Sequence, residues 1–226
     1  MRAPRLSGLA ACLSGFALVA VGCAEEVVTD ELPIHDDFSG DCEWAEEEQD
    51  SISIACRDGE YRILLDGSKL NQSQAFYRVL DAPARSVNVE ADVLLRAFPE
   101  PQPNEAYEFH GIACWASVDP SRGYLFLIDP SSSEFGIAKM DEEGLSFLID
   151  RTSDAVDGIG ETNRLGADCR PTQGGVDLTM SVNGEQVWAT VDPNGFEPFE
   201  AVGLYADSTK SGTDLRYDNF SAEGGR

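Results

Sequence analysis

The nearest approach to a catalytic motif in this sequence is Glu90-Ala91-Asp92. Glycoside hydrolysis uses two carboxyl groups that flank one bond, and strand alternation places residues i, i+2 and i+4 on one face. Glu90 and Asp92 begin such a row, but residues 93–95 are Val-Leu-Leu, where a second glutamate is needed. Because the proton donor is missing, the sequence predicts only two outward acids on a strand.

Nucleophilic and zinc chemistry have no better support. A serine nucleophile needs an activating base, and many hydrolases hold the serine in a G-x-S-x-G turn. The chain has two histidines, His35 and His110, and no G-x-S-x-G. Zinc sites use closely spaced Cys and His ligands, but no C-x-x-C occurs and neither histidine lies at ligand spacing from a cysteine. The sequence therefore predicts no catalytic residue.

A ligand-binding face is the more economical hypothesis. If Cys114 points into the core, Trp115 points outward; if Cys169 points inward, other residues of its strand point outward. An outward tryptophan beside charged side chains suits sugar binding, because the ring stacks on a pyranose and the charged groups reach its hydroxyls. The alternative is that Trp115 packs beneath the proline-rich segment 98–104. The predicted ligand residues are Trp115, Arg164, Asp168, Arg170 and Tyr205.

Alternating strands must position these residues. Val176 to Val182 alternates strictly between apolar and polar side chains, and Asn183-Gly184 supplies two residues that accept positive φ, as a type I′ hairpin requires. The same alternation occurs at 86–96, 164–170, 185–191 and 202–206, with turn residues between the runs. Consecutive short strands without a convincing helix predict an all-β antiparallel sandwich or barrel.

The order N-R-L-x-A-x-C, V-x-L-x-M-x-V-N-G-x-x-V, V-G-L-Y-A and a terminal Y-D-N-F resembles the concanavalin-A-like (laminin-G-like) jelly-roll domains of bacterial lipoproteins. The resemblance extends from Asp37-Phe38 to Asp218-Asn219-Phe220. Within this class of domains, the sequence is similar in particular to the 3-keto-glycoside hydrolase domain group. The resemblance implies an antiparallel β-sandwich. It also allows a sugar-directed activity, although no catalytic residue of that group maps onto this sequence.

The resemblance also raises the question of a structural calcium ion, which such domains often use to join their terminal strands. Asp36, Asp37 and Asp218 lie at the two ends of the domain, and carboxylates are suitable calcium ligands. The alternative is that these aspartates cap turns.

The charge excludes one class of partner. The chain has 41 acidic and 16 basic residues, a formal net charge of −25. Such a surface repels nucleic acid, so we expect no nucleic-acid partner.

The N-terminus has the pattern of an export signal. Residues 1–22 combine Arg2 and Arg5 with an apolar run that ends in Ala20-Val21-Gly22-Cys23, which resembles a bacterial lipobox. This predicts a lipoprotein signal peptide at 1–22, membrane attachment through lipid on Cys23, an acidic tether at 23–35 and the jelly-roll domain at 36–226. Ala24 follows the cysteine, and the resemblance then implies sorting to the outer membrane of the cell envelope.

Apart from Cys12 in the predicted signal peptide and Cys23 at the predicted lipid anchor, the chain has four cysteines. This even number favours two disulfides in an exported protein. Three connectivities are possible. The pairing Cys42–Cys56 with Cys114–Cys169 is favoured, because the first pair flanks a local hairpin and the second lies on the inward faces of two strands.

These observations predict an exported, lipid-anchored surface domain that binds carbohydrate or another partner without catalysis. The alternatives are a glycoside-processing enzyme and a structural surface protein with a protein partner.

Overall fold

The computed structural model describes residues 29–49, 52–66, 72–96, 109–208 and 211–225. The predicted signal peptide, Cys23 and the proline-rich segment 98–104 lie outside these residues. Within them, no helix is long and apolar enough to cross a membrane.

The described residues form strands joined by turns. The sixteen strands are β1 Thr29–Asp30, β2 Ile34–Asp36, β3 Glu47–Gln49, β4 Ile52–Arg57, β5 Glu60–Asp66, β6 Gln72–Ala84, β7 Ser86–Leu95, β8 His110–Trp115, β9 Gly123–Asp129, β10 Glu134–Asp141, β11 Gly144–Thr152, β12 Thr162–Thr172, β13 Gly175–Val182, β14 Glu185–Asp192, β15 Phe199–Ser208 and β16 Ser211–Gly225.

The strands build two sheets that pack face to face. Sheet A has the order β1-β6-β15-β8-β9-β10-β11, and sheet B has the order β14-β13-β12-β7-β16-β5-β4-β3, with β2 paired to β16. All pairs are antiparallel except β1 with β6. The predicted antiparallel β-sandwich is therefore confirmed.

The hairpin of β13 and β14 forms where the sequence predicts it. Along β13 the side chains alternate between half-buried and buried, and Leu178 and Met180 lie in the core. Asn183 has φ 52° and Gly184 has φ 81°. Two successive positive φ values give the turn the twist that two paired strands need.

Both predicted disulfides are formed. Cys42 is joined to Cys56, next to the β4–β5 hairpin. Cys114 of β8 is joined to Cys169 of β12, so this bond crosses the core from sheet A to sheet B.

The folded part begins earlier than the sequence indicates. Segment 23–35 is predicted as a tether, but Thr29–Asp30 and Ile34–Asp36 are strands. Ile34 is buried, and Arg78 Nη2 lies 2.6 Å from Asp30 Oδ1. An apolar anchor and an ion pair hold these residues against the sheets, which a composition-based argument does not reveal.

Candidate functional site

The predicted ligand residues lie on opposite sides of the molecule. Trp115 and Tyr205 belong to β8 and β15 of sheet A, whereas Arg164, Asp168 and Arg170 belong to β12 of sheet B. The predicted juxtaposition of Trp115 with the arginines is wrong, because β8 and β12 face each other across the core instead of lying side by side.

Trp115 is not a stacking platform. The side chain is fully buried on the outer face of sheet A, in a second apolar cluster separate from the core between the sheets. Gly123 lies beneath the indole, since a Cβ there would come within 2.8 Å of Trp115 Cε3. The other buried members of the cluster are Phe109, Ala113, Leu125, Leu127, Ala138, Ala201 and Tyr205.

Arg164 organises a polar network on the outer face of sheet B. Its Nη2 donates to Glu90 Oε2 at 2.8 Å, and its Nη1 donates to Asp92 Oδ1 at 3.2 Å and to the carbonyl of Asn219 at 2.9 Å. The Asn219 amide in turn donates to Asp92 Oδ2 at 2.8 Å. The four residues therefore hold one another in a fixed arrangement.

Strand register produces this arrangement. In the antiparallel pairing of β12 with β7, Arg164 lies opposite Asp92, Gly166 opposite Glu90, and Asp168 opposite Asn88. We call these six residues the Arg164 face. The inward residues between them belong to the core, so alternation turns the Arg164 face toward solvent.

A β-bulge brings Asn219 to the Arg164 face. The pairing of β16 with β7 shifts register between Asp218 and Ser221, and Asn219 has φ 49°. The bulge turns the Asn219 carbonyl toward Arg164 and its amide toward Asp92. Bulges re-aim side chains in this way near binding sites.

The centre of the Arg164 face is flat. Gly166 presents no side chain, and a Cβ there would come within 2.4 Å of Ser181 Oγ. Beyond it, Arg170 Nη2 donates to Asp168 Oδ2 at 2.7 Å, and the Arg170 side chain is 64% exposed. Gly166 is itself buried, with the Ser181 hydroxyl over it, so the centre is a low polar surface and not a cleft.

Electrostatics keep Arg164 charged. Burial alone lowers the pKa of this guanidinium, but its hydrogen bonds to Glu90 and Asp92 outweigh burial and raise the pKa. Nearby, burial raises the pKa of the Asp218 carboxyl, and the negative charges of Asp92, Glu60 and Asp37 raise it further.

The predicted calcium site is not formed. Asp36 accepts hydrogen bonds from the Phe38 N–H and from Trp44 Nε1, both at 2.8 Å, and Asp37 accepts from Ser39. Asp218 accepts from the Asn219 N–H at 2.6 Å. Within the described part of the chain, no group of three His, Cys, Asp or Glu residues could hold a metal ion. The three aspartates cap turns and anchor Trp44 instead.

A second polar cluster, absent from the sequence predictions, joins the two sheets at one end. Asp192 Oδ2 accepts from Lys139 Nζ at 2.7 Å and from the Tyr124 hydroxyl at 2.9 Å. Lys139 Nζ lies 4.3 Å from the centre of the Phe196 ring. Because these residues are up to 72 positions apart, alternation and local spacing contain no signal for the cluster.

Comparisons with known proteins support the fold. No protein-family model matches the chain, and no curated protein matches its sequence. A Bacillus subtilis protein of unknown function with a galectin-like fold has a TM-score of 0.58 and 11% identity, over 85% of this chain and 96% of that one. Arcelin-5, a lectin-like defence protein from Phaseolus vulgaris, has a TM-score of 0.55 and 12% identity, over 85% and 98%.

A third similar structure is the potassium-bound carbohydrate recognition domain of Emp46p, with a TM-score of 0.52 and 11% identity, over 81% of this chain and 89% of that one. At these identities the similarity shows the fold alone. The chain thus has the lectin-like, concanavalin-A-like jelly-roll fold.

Proposed function

We propose that this chain is a non-catalytic carbohydrate-binding module and that sugar binds on the Arg164 face. The carrying observation is the Arg164 guanidinium, which Glu90, Asp92 and Asn219 hold in place on an accessible surface. A fixed guanidinium donates to hydroxyl groups without losing side-chain entropy on binding. The carboxylates beside it retain lone pairs that accept from neighbouring hydroxyls.

The flat centre at Gly166 supports the same proposal. A pyranose ring is a thin disc with hydroxyls around its edge, and the low relief at Gly166, where only the Ser181 hydroxyl lies over the backbone, would let such a ring rest across the surface. Thr179 and Ser181 of β13 and Asn88 of β7 surround this position with neutral donors and acceptors.

Binding here relies on hydrogen bonds more than on ring stacking. The exposed large aromatic side chains of the described residues are Tyr77, Phe147 and Trp188, none of which belongs to β12, β7 or β16. Without a stacking ring we expect a Kd on the order of 0.1–1 mM for a short oligosaccharide. The net charge of −25 repels anionic polysaccharides, so the proposed ligands are neutral or amino sugars.

The same contacts argue against sugar cleavage. Glu90 and Asp92 both accept hydrogen bonds from Arg164, and Asp92 accepts a further one from Asn219. Glycoside hydrolysis needs one carboxyl group that is available to protonate the leaving group, and Arg164 engages both Glu90 and Asp92. Glycoside processing of the 3-keto-glycoside hydrolase type is the alternative, and release of free sugar in the binding assay would favour it.

The N-terminal pattern supports a location for this module. We propose export, lipid attachment at Cys23 and anchoring in the bacterial cell envelope, in the outer membrane. There the domain would contact envelope or environmental polysaccharide. Labelling with radioactive palmitate, compared between the wild type and Cys23→Ser, tests the anchor.

The binding proposal is tested on immobilised neutral polysaccharides, with calcium present and with isothermal titration of each positive sugar. The test variant is Arg164→Met, which keeps an unbranched apolar stem and removes the guanidinium donors. Loss of hydrogen bonds to a charged group costs about 1.5–3 kcal/mol, so we expect affinity to fall at least about tenfold.

Arg62→Met is the matched control. Arg62 also bonds to a carboxylate on the outer face of sheet B, at 2.9 Å from Asp214, but it lies on β5, away from Gly166. Equal binding by Arg164→Met and wild type would support the sugar as ligand but exclude the Arg164 face as its binding site. Absence of binding by the wild type would leave a protein partner as the better hypothesis.

A further inference from the structure

Two asparagines with left-handed backbone conformations hold Arg164. The described part of the chain has five residues other than glycine with positive φ, namely Phe38, Asp58, Ser133, Asn183 and Asn219. Asn183 and Asn219 both bond directly to Arg164. Such backbone conformations cost energy, and in proteins they concentrate at active sites and ligand clamps, where the surrounding contacts maintain them. Two of them on one arginine indicate that the fold specifies the position of Arg164 closely.

Asn183 bonds to both backbone polar groups of Arg164. The Asn183 N–H donates to the Arg164 carbonyl at 2.8 Å, and the Arg164 N–H donates to Asn183 Oδ1 at 2.7 Å. The ladder of β12 and β13 ends at Leu165 and Val182, so Arg164 and Asn183 follow as the next pair. In such a pair the Arg164 N–H would ordinarily donate to the backbone carbonyl of its partner. Because Asn183 turns left-handed at the hairpin, with φ 52°, its side-chain oxygen takes the place of that carbonyl.

The amide nitrogen of Asn183 is bonded to the loop between β11 and β12. Asn183 Nδ2 donates to the Ala155 carbonyl and to Asp157 Oδ2, both at 3.0 Å, and to Asn163 Oδ1 at 3.2 Å. All three partners are acceptors, whereas Asn183 Oδ1 faces the Arg164 N–H, which is a donor. The amide therefore has one favourable orientation, because a flip would place donor against donor at Arg164.

Asn163 holds the same loop from the core side. Its side chain is fully buried, its Oδ1 accepts from the Asp157 N–H at 2.8 Å, and its Nδ2 donates to the Asp157 carbonyl at 3.0 Å. These two bonds fix the backbone of the loop at Asp157. The acceptors that orient Asn183 Nδ2 are therefore fixed as well.

Asparagine meets requirements at position 183 that the hairpin turn alone does not impose. A type I′ turn accepts glycine or aspartate at this position as readily as asparagine. Glycine would provide no acceptor for the Arg164 N–H. Aspartate would provide that acceptor, but its carboxylate would face the Asp157 carboxylate and the Ala155 carbonyl, and it has no donor for either. The contacts with Arg164 and with the loop, and not the turn, therefore account for the amide.

We propose that Asn183 is a positioning residue of the Arg164 face. It places the Arg164 backbone near the start of β12, from where the guanidinium reaches its three partners on β7 and β16. Both ends of the Asn183 amide are bonded within the protein, so its role is to orient Arg164 and not to contact the ligand. This inference rests on the proposed function, since it assigns part of the sugar affinity to a residue outside the binding face.

The NMR signals of the arginine side chains test the positioning role without any ligand. In the wild type we expect resolved Nη–H signals from Arg164, because its hydrogen bonds restrict rotation of the guanidinium. In Asn183→Gly, which keeps the left-handed turn and removes the amide, these signals should broaden and merge. Arg62 is the internal reference, since its bond to Asp214 at 2.9 Å lies on β5 and β16 and should not change. Unchanged Arg164 signals in Asn183→Gly overturn the proposal.

Titration with short neutral oligosaccharides of glucose, mannose and N-acetylglucosamine is the second measurement. Loss of one hydrogen bond of ordinary strength changes an equilibrium about fivefold, so we expect Asn183→Gly to bind about fivefold more weakly than wild type. Asn183→Asp keeps the acceptor for the Arg164 N–H and should retain the wild-type affinity. It should nevertheless unfold at a lower urea concentration than wild type, because its carboxylate faces Asp157.

Asp58→Gly is the matched control. Asp58 and Gly59 form the two-residue turn between β4 and β5, with φ 56° and 78°, so the same kind of side chain is removed from the same kind of turn. This variant should change neither the Arg164 signals nor the affinity. An equal loss of affinity in Asp58→Gly and Asn183→Gly overturns the proposal, and so do affinities of the Asn183 variants that simply follow their stabilities. If the wild type binds no sugar, the proposed function fails, while the NMR signals still decide whether Asn183 positions Arg164.

Discussion

Cys114 and Cys169 face each other across the core, with their Cα atoms 6.7 Å apart, and they join the interior strand β8 of sheet A to the interior strand β12 of sheet B. Residues next to them in sequence therefore point to opposite outer faces. Trp115 enters the apolar cluster on sheet A, and Asp168 and Arg170 point to solvent on sheet B. Because this bond fixes which faces of β8 and β12 turn inward, it also fixes which of their other residues lie on each outer surface.

Loss of this disulfide should destabilise the domain more than loss of the other one. Loop-closure entropy assigns about 4 kcal/mol to a bond that spans 55 residues and about 3 kcal/mol to one that spans 14. We therefore expect Cys114→Ala/Cys169→Ala to lose more unfolding free energy in urea than Cys42→Ala/Cys56→Ala. Both cysteines of the longer bond are fully buried, which adds a packing loss to the difference. Equal losses would mean that local strain or residual structure outweighs loop length.

Residues with local signals were predictable. Alternation identifies β13, the Asn183-Gly184 turn identifies its hairpin, and inward alternation identifies Cys114 and Cys169 as a pair. The first two inferences use residues within one strand or one turn, and the cysteine pairing combines the inward directions of two strands, each of which follows directly from chain position.

Residues that depend on sheet order were not predictable. Strand alternation predicts that Arg164 points outward, but its partners Glu90 and Asn219 lie 74 and 55 positions away in the sequence. The bulge that presents Asn219 has no sequence signal of its own. The error on Trp115 has the same origin: alternation gives a direction relative to one sheet, and it does not state whether two strands share that sheet.

Substitution of Trp115 should affect stability, not sugar binding. The indole is fully buried between Leu125, Ala201 and their neighbours, so Trp115→Ala removes a large core side chain and should cost about 3–5 kcal/mol. Denaturant unfolding measures the loss, and titration of the folded variant at low temperature should give the wild-type affinity. If a folded Trp115→Ala protein no longer binds sugar, the binding site lies on sheet A and not on the Arg164 face.

Filling the centre of the Arg164 face should remove sugar binding at little cost in stability. In Gly166→Thr the new Cβ meets only the Ser181 hydroxyl at close range, and a hydroxyl can rotate away. Threonine suits a strand better than glycine does, so we expect unfolding free energy to change by less than about 1 kcal/mol. Affinity should fall at least about tenfold, because the added side chain would rise above the low surface on which the ring is proposed to rest.

Gly158→Thr tests whether the glycine effect is local. Gly158 lies in the loop between β11 and β12, with open space around its Cβ direction. This variant should bind as the wild type does. Unchanged affinity in Gly166→Thr would exclude the flat centre as the ligand position even if Arg164 proves essential.

Asp192 should make the domain sensitive to acid. Burial alone raises the pKa of Asp192, but hydrogen bonds from Lys139, the Asn194 N–H and Tyr124 outweigh burial and lower the pKa below 3.8. A lowered pKa stabilises the fold above the unfolded value, and this contribution is lost as the pH falls through the folded value. Asp192→Asn should therefore be less stable than wild type at pH 7, by about 3 kcal/mol, since Lys139 loses its buried partner.

The difference between wild type and Asp192→Asn should narrow below about pH 4, in urea unfolding measured from pH 7 to pH 3. Asp168→Asn is the control, because the Asp168 pair with Arg170 is exposed and contributes about 1 kcal/mol or less. If the difference in unfolding free energy stays constant down to pH 3, Asp192 stabilises the fold through packing and not through its negative charge.

The negative charge of Asp218 should have the opposite effect on the stability of the fold. Burial and the charges of Asp92, Glu60 and Asp37 raise the pKa of Asp218 above 3.8, so its ionised form destabilises the fold at neutral pH. Asp218→Asn keeps an oxygen for the Asn219 N–H and removes the charge. We expect the variant to be more stable than wild type at pH 7, by up to about 0.5 kcal/mol, and the gain to disappear as the pH falls to 3.8 and the wild-type carboxyl becomes protonated. Thermal melting at pH 7 with and without calcium completes the test, because stabilisation of the wild type alone by calcium would mean that a cation, and not mutual repulsion, governs this carboxylate.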